Sequence, residues 1–447
     1  MTNFGGMTMY RDLTRGSISR SLILFALPMM AGNLLQQLYN IADTLIVGRV
    51  LGANALAAVG SAYTLMTFLT SIFLGLSMGS GALFSVYRGR DDEIALRKSV
   101  AHAFALIMLI TLLINATVYA FLDGILTFLR VPDEVWDGMR CYLLIIFAGL
   151  IATSLYNYLS CLLRAFGNST APLIFLAVSA LLNIGLDLLF VAVYGMGIAG
   201  AAWATVIAQY VSAVGLLIYV LSKCKEIIPK RNDRRYDGDM LRQIVSMSAL
   251  TCAQQSVMNF GILMVQGLVN SFGAVIMAAF AAAVKIDSFA YLPVQDFGNA
   301  YSTFIAQNYG AARYERIRRG TREAFFISGG FALVISALVF ALAAPLMHLF
   351  SDDAPVIAQG VRYLRVEGAC YVGIACLFLL YGYFRAICRP AMSVVLTVIS
   401  LGTRVALAYA LSPLMGEIGI WLAIPIGWVL ADVTGLVSMR RKPIIKA

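Results

Sequence analysis

The sequence predicts an all-α membrane protein with twelve transmembrane helices in two pseudo-symmetric six-helix lobes around a central cleft. Three observations support this fold class. Hydrophobic residues make up 60% of the 447 residues and charged residues only 13%, about half the charged share of a typical soluble protein. Basic residues cluster in alternate connections between long apolar runs. A fixed offset of 221 positions relates the two halves of the chain.

Each apolar run is long enough to cross a bilayer, which takes ~20 apolar residues in a helix. The first run follows a polar, basic segment and lacks a small-residue cleavage site, so we expect it to remain as a transmembrane helix. The hydropathy pattern predicts twelve spans, at residues 20–47, 54–86, 99–122, 138–163, 171–194, 198–222, 243–270, 275–309, 323–350, 360–384, 391–412 and 418–438.

The basic residues predict the orientation of these spans. Alternate connections hold 26 Arg and Lys on one side and 5 on the other. Because positively charged connections stay in the cytoplasm, we expect a multi-pass protein of a prokaryotic cytoplasmic (inner) membrane with both termini cytoplasmic. This pattern also accounts for the net charge of +10 without a nucleic-acid partner. The seven cysteines are scattered, and no disulfide is predicted.

Similarity between the halves indicates a duplication. LLINATVYA at 112–120 corresponds to LVISALVFA at 333–341. Matched single residues include Gly52 with Gly273, Tyr142 with Tyr363, and Arg164 with Arg385. Six spans per half form a parallel repeat, as in several transporters. The predicted domains are an N-terminal six-helix lobe at 1–222, a cytoplasmic linker at 223–242 and a C-terminal six-helix lobe at 243–447.

The first span carries polar residues along one face. Asn33, Gln36, Asn40 and Asp43 are spaced by three, four and three positions, so they share a helical face. A carboxylate at the centre of a membrane helix costs ~2.5–3.5 kcal/mol and usually serves an ion or a substrate. We therefore expect Asp43 to take up a cation. The alternative is an acid at the helix end, at the level of the lipid headgroups.

The first lobe alone supplies the remaining groups of this predicted site. Asn183 and Asp187 are four positions apart and share a face, and Thr205 on the next span adds a hydroxyl. In the second lobe, Asp43 aligns with Met264, Asn183 with Arg404, and Asp187 with Ala408. Two carboxylates, an amide and a hydroxyl suit H+ or Na+. We predict no cofactor beyond this coupling ion and no metal other than Na+ at Asp43, Asn183 and Asp187.

The eighth span carries a second polar set. Lys285, Asp287 and Asp296 lie within its apolar sequence and form a possible second site for substrate. The alternative is an internal salt bridge with helix packing. For Arg404 we favour a structural role, paired with a carboxylate.

Several short segments together resemble the multidrug and toxic compound extrusion (MATE) transporter family, over essentially the whole chain. These segments are Leu27-Pro28, Asp43-Thr44, Val47-Gly48-Arg49, Leu51-Gly52, Leu56-Ala57-Ala58-Val59-Gly60, Gly195-Met196-Gly197-Ile198-Ala199-Gly200-Ala201-Ala202 and Gln307-Asn308-Tyr309-Gly310-Ala311.

The resemblance implies an antiporter that exports organic, often cationic and lipophilic, compounds in exchange for H+ or Na+ by alternating access. One branch of the family has an Asp on helix 1, an Asn and an Asp on helix 5 and a Thr on helix 6, which Asp43, Asn183, Asp187 and Thr205 match.

The same branch implies roles for other residues of the first span. Gln36 and Tyr39 match positions near its substrate cavity, where we also place Asn40, and Pro28 matches its helix bend. Another branch uses acids on helices 7 and 10. This chain departs from it, with Gln254 and Gln255 on helix 7 and only Glu367 on helix 10.

We expect small organic substrates and the lipid bilayer as partners, and a monomer. One alternative function is a flippase for lipids or lipid-linked oligosaccharides, which would need a cationic cavity. A membrane-embedded enzyme would need a nucleophile–base pair or a metal set, and the sequence shows neither, so we predict no enzymatic activity.

Overall fold

The computed structural model describes residues 11–129 and 131–441. Within these ranges the regular structure is entirely helical. The helices are α1 (Ile18–Leu51), α2 (Ala53–Gly89), α3 (Glu93–Ala120), α4 (Leu122–Phe128), α5 (Asp133–Ile146), α6 (Leu150–Ala165), α7 (Thr170–Asp187), α8 (Gly197–Lys223), α9 (Gly238–Asn270), α10 (Ala274–Gly310), α11 (Tyr314–His348), α12 (Ala354–Gly368), α13 (Tyr371–Ala386), α14 (Pro390–Met415) and α15 (Glu417–Arg441).

These helices confirm the predicted fold class. Among the described residues, ten helical segments are long and apolar enough to cross a membrane, and the pair α12–α13, bent by 51°, makes eleven. Helices α5 and α6 form one of the ten, because only a short 3-10 turn separates them. Helix α9 is also long, at 33 residues, but it is not one of these ten segments.

The chain divides into two compact units at positions inside helices. The first unit contains Ala31–Cys252, and the second contains Asp12–Met30 and the described residues from Ala253 onward. The boundaries therefore lie within α1 and α9, whereas the sequence placed the division in the connection at 223–242. Hydropathy shows where a helix crosses the membrane but not which neighbours each half of it contacts.

The first unit contains two buried apolar clusters. One buried cluster includes Phe84 of α2, Tyr158 of α6 and Leu216 of α8. A second cluster includes Val47 of α1 and Met139 of α5. The second cluster fixes the last part of α1 against α2, α5 and α8, close to where Asp43 lies in the sequence.

Small residues allow α2 and α9 to approach closely inside the first unit. A Cβ atom at Gly75 would lie 2.5 Å from the Cα of Cys252, and one at Gly79 would lie 2.5 Å from the carbonyl oxygen of Met247. The hydroxyls of Ser80 and Ser248 meet at 2.9 Å. The glycines thus serve helix packing, as small residues commonly do in membranes.

The hydrophilic connection before α9 is docked on α3. Arg97 contacts Asp233 at 3.1 Å, and Lys98 contacts Asp237 at 3.2 Å. The backbone N–H of Asp237 donates to Nε2 of His102 at 3.1 Å. The backbone N–H of Met240 and the Lys98 ammonium donate to the Asp237 carboxylate and lower its pKa. These bonds attach the connection to the first unit.

The second unit holds the segment that precedes α1. The guanidinium of Arg316 donates to the carbonyl oxygens of Leu13, Arg15 and Gly16 at 2.7–3.3 Å. Leu13 is fully buried, and its N–H donates to the side chain of Gln307 at 3.2 Å. The start of α1 is therefore anchored by hydrogen bonds as well as by apolar contact.

Helix α1 continues through Pro28 without a break in its helical structure. Proline removes one backbone N–H, so the carbonyl of Leu24 loses its usual donor four residues later. The predicted bend at Pro28 stays a prediction.

We expect Gly79→Ala to destabilise the protein by about 1–3 kcal/mol, as overpacking commonly does. The new methyl group would overlap the backbone of α9, which has no flexible side chain to move aside. Gly60→Ala is the matched control, because it lies on the same helix and a Cβ atom added there would have no neighbour within 4 Å. The melting temperature in detergent should fall in the first variant only. Equal melting temperatures for both variants would contradict the close α2–α9 contact.

Candidate cation-coupling site

Helix α7 brings Asn183 and Asp187 into the interior of the first unit. The two side chains are one helical turn apart and are 2% and 0% exposed. The α-helical part of α7 ends at Asp187, and a π-helical segment follows at Leu188–Val193. Such segments occur often at functional sites, because they redirect the side chains of the turn.

Thr205 of α8 joins this pair through a hydrogen bond. Nδ2 of Asn183 contacts Oγ1 of Thr205 at 3.3 Å, and the Thr205 hydroxyl donates to the carbonyl oxygen of Ala201 at 3.0 Å. This arrangement leaves Oδ1 of Asn183 without a donor among the described residues. The amide oxygen is therefore available to a cation.

Asp43 of α1 faces Asp187 of α7. Their carboxyl groups lie within hydrogen-bonding reach of each other. Oδ1 of Asp43 and both carboxylate oxygens of Asp187 are buried and have no donor within the described part of the chain. Two ionised carboxylates offer only acceptors, so a shared proton or a bound cation would satisfy them. The structure thus brings together all four residues that the sequence predicted for the coupling site.

Sequence reasoning missed Tyr142 of α5. Its side chain is 7% exposed, and it lies beside Thr205, Asp43 and Asp187. The one available signal was the match of Tyr142 with Tyr363 in the duplicated half. That match alone did not distinguish a site residue from a packing residue.

The predicted substrate-cavity residues extend from this site along α1. The hydroxyl of Tyr39 lies near the side chain of Gln36 and near Asp43. Asn40 is used locally, because its Nδ2 donates to Oε1 of Gln37 at 3.3 Å. Tyr39 therefore lies close to the carboxyl pair, whereas the hydrogen bond of Asn40 is to Gln37 of the same helix.

The second unit does not assemble its predicted polar site. Lys285 is exposed and makes no ion pair with Asp287 among the described residues, since side chains two apart do not face each other on a helix. Asp296 is nine positions from Asp287, roughly 13 Å along the axis. Instead, Asp287 accepts a hydrogen bond from Tyr371 and lies against Glu367.

The described residues contain no group of three or more His, Cys, Asp or Glu side chains that could hold a metal ion. The possible ligands of this site are all oxygen atoms, which hard cations prefer. They belong to Asp43, Asp187, Asn183 and Thr205.

Comparison with known proteins gives the family. The MatE family model matches the chain twice, at residues 28–189 and 248–410. The chain belongs to the MatE family. The two matches reproduce the offset between the halves to within one residue and confirm the duplication. The first match includes Asp43 and Asp187, and the second includes Met264 and Ala408, the positions that align with them.

Individual relatives of this MatE protein cover nearly its whole length. It is 29% identical to the "Probable multidrug resistance protein YpnP" of Bacillus subtilis, over 96% of each chain. It is 26% identical to an "FAD transporter" of Shewanella oneidensis, over 94% of each chain. A solved structure described as the outward-facing conformation of a multidrug resistance MATE family transporter matches with a TM-score of 0.90 at 22% identity, over 96% of each chain.

We expect Tyr142→Phe to weaken the apparent affinity for the coupling ion about 2- to 12-fold. The change removes a hydroxyl that lies beside Thr205 and the two acids, and a hydrogen bond from such a group contributes about 0.5–1.5 kcal/mol. Tyr119→Phe is the control, since the Tyr119 hydroxyl donates to the carbonyl oxygen of Leu144 at 2.9 Å, outside the carboxyl site. The measurement is the ion dependence of transport in proteoliposomes. An unchanged affinity in Tyr142→Phe would remove this hydroxyl from the site.

Proposed function

We propose that this MatE protein is a secondary active multidrug efflux antiporter, which exports organic and often cationic, lipophilic compounds in exchange for H+ or Na+. The observation that carries this proposal is the facing pair Asp43 and Asp187, with three buried oxygens that lack a donor. The names of its relatives as multidrug resistance proteins support the efflux function.

Electrostatics gives the pair a reason to exchange ions. Two unit charges 4 Å apart repel by about 4 kcal/mol at an effective dielectric constant of 20. A buried carboxyl pair therefore favours one proton or cation over full ionisation. Release of that ion restores the repulsion between α1 and α7, and its uptake lets these helices approach.

This change in charge can drive alternating access. In the neutralised state the cavity beside Gln36 and Tyr39 closes and displaces the substrate. In the ionised state the cavity opens and attracts a cationic substrate. Ion and substrate thus compete for one region of α1, which is the requirement for antiport.

The available driving force limits the stoichiometry. One proton that enters down ~100 mV gains ~2.3 kcal/mol, and one pH unit adds ~1.4 kcal/mol. Together these support a gradient of roughly 500-fold for a neutral compound. For a monovalent cation the voltage contributions cancel, which leaves about tenfold per pH unit. Two carboxyl groups in one site allow two protons per cycle, which would restore a steep gradient.

A flippase would need a substrate cavity that is lined by different groups. Phosphate groups of a lipid-linked sugar, or of the flavin dinucleotide that the name of one relative indicates, require cationic partners. The site in the first unit is instead lined by carboxyl, amide and hydroxyl groups. This lining favours cationic or neutral compounds. Lipid transport that needs no ion gradient would support the flippase instead.

We expect Asp43→Asn and Asp187→Asn each to lower ion-coupled efflux at least tenfold, because an amide can neither release a proton nor repel its neighbour. The measurement is substrate efflux from proteoliposomes with pH and sodium gradients imposed separately. Asp137→Asn is the control, because Asp137 is an exposed carboxylate on α5.

Melting temperatures close to that of the unchanged protein must accompany the loss, so that misfolding does not explain it. Full coupled efflux in either variant would refute the role of the carboxyl pair. A response to only one of the two gradients would identify the coupling ion.

A further inference from the structure

A second pair of carboxyl groups is buried in the second unit. Asp287 of α10 and Glu367 of α12 are 3% and 7% exposed and interact directly. The hydroxyl of Tyr371 donates to Asp287, and the hydroxyl of Tyr363 reaches both acids. Oδ2 of Asp287 and Oε2 of Glu367 are buried without a partner in the described residues. This pair resembles the first-unit pair in chemistry but lies on different helices.

Arg404 of α14 distinguishes the two pairs. Its guanidinium acts electrostatically on Glu367 and Tyr363, and its Nε is buried with no acceptor within the described ranges. Arg404 aligns with Asn183, and Tyr363 aligns with Tyr142. The duplicated positions thus place a tyrosine beside a carboxyl pair in both units, together with an amide in the first and a guanidinium in the second.

The backbone of α14 has little freedom at this point. A Cβ atom at Gly427 of α15 would lie 2.4 Å from the carbonyl oxygen of Ser400 and 3.5 Å from the Cβ of Arg404. The stacked rings of Phe280 and Trp421, 5.5 Å apart, pack with Tyr363 at 4.9 Å from Trp421. Close helix contact and aromatic packing therefore hold both Arg404 and Tyr363 in place.

A count of charges shows what the guanidinium changes. Two carboxyl groups within hydrogen-bonding reach share one proton, because otherwise both present only acceptors. Each pair then carries one negative charge. In the second unit Arg404 supplies one positive charge, so the cluster is neutral. In the first unit Asn183 supplies none, so neutrality requires one further cation in addition to the shared proton.

We propose that Arg404 is a tethered cation that takes the role of a coupling ion in the second unit and excludes free cations from Asp287 and Glu367. Arg404 is a specificity-determining residue, since it confines ion exchange to the first unit. The claim that ion exchange is confined to the first unit rests on the function proposed above. The exclusion of cations from the second unit does not, because ion binding can be measured without transport.

The test counts radioactive Na+ bound to the purified full-length protein in detergent at alkaline pH, where H+ competes least. The parent for the count carries Asp43→Asn and Asp187→Asn, which remove the first-unit acids. We expect this parent to bind no Na+ and the addition of Arg404→Asn to create one site per protein. Adding Glu367→Gln should abolish that site. Arg362→Gln is the control, because Arg362 lies on the same helix as Glu367 with its side chain 59% exposed.

Two further variants keep the proposal testable if Arg404→Asn fails to fold. Arg404→Lys retains a tethered cation and should bind as the parent does. Glu367→Gln in the unchanged protein should leave the sodium count unaltered, because no free cation binds there. A folded Arg404→Asn variant without an added site, or a sodium count lowered by Glu367→Gln in the unchanged protein, would overturn the proposal. The parent with Asp43→Asn and Asp187→Asn is expected to bind no Na+. If it still binds Na+, and if adding Glu367→Gln does not remove that binding, the result would count against the function proposed for the first unit.

Discussion

The structure of the first unit depends on two carboxyl groups that are held together among apolar helices. Asp43 and Asp187 come from helices far apart in sequence, and each would be costly at this depth even alone. Three of their oxygens are buried without a donor among the described residues, and a proton or a cation would satisfy them. The rest of the first unit supports this contact, because the buried cluster around Val47 and Met139 fixes α1 against its neighbours. Thr205 contacts Asn183 through a hydrogen bond, and Tyr142 lies beside both acids.

The duplication shows how one scaffold can carry two different charge states. Both units place a tyrosine next to a pair of acids, at positions that correspond in sequence. The acids themselves arise on different helices, and the residue at the position of Asn183 is an arginine in the second unit. A single substitution at a matched position therefore changes the net charge of a buried cluster by one. In a medium of low dielectric constant, that difference is sufficient to decide whether a free ion is required.

Helices α1 and α9 each belong to both compact units. The beginning of α1 is anchored in the second unit by Arg316 and Gln307, which bind the preceding segment. The later part of the same helix carries Gln36, Tyr39 and Asp43. Because α1 is continuous through Pro28, the ion site and the anchored segment lie on one structural element. A change in charge at Asp43 thus acts on a helix whose preceding segment is held by the side chains of Arg316 and Gln307.

The sequence by itself determined the helical membrane fold and the duplication, and it singled out Asp43, Asn183, Asp187 and Thr205, which the structure brings together. It could do so because the length of apolar runs, the alternation of charge and helical spacing can be read directly from the order of residues in the chain. Only the tertiary structure decided which acids meet. It paired Asp287 with Glu367 rather than with Lys285 or Asp296, added Tyr142 to the first site and placed Arg404 beside the second. Those outcomes depend on which faces of distant helices pack together, and helical periodicity carries no information about the neighbour that a face will meet.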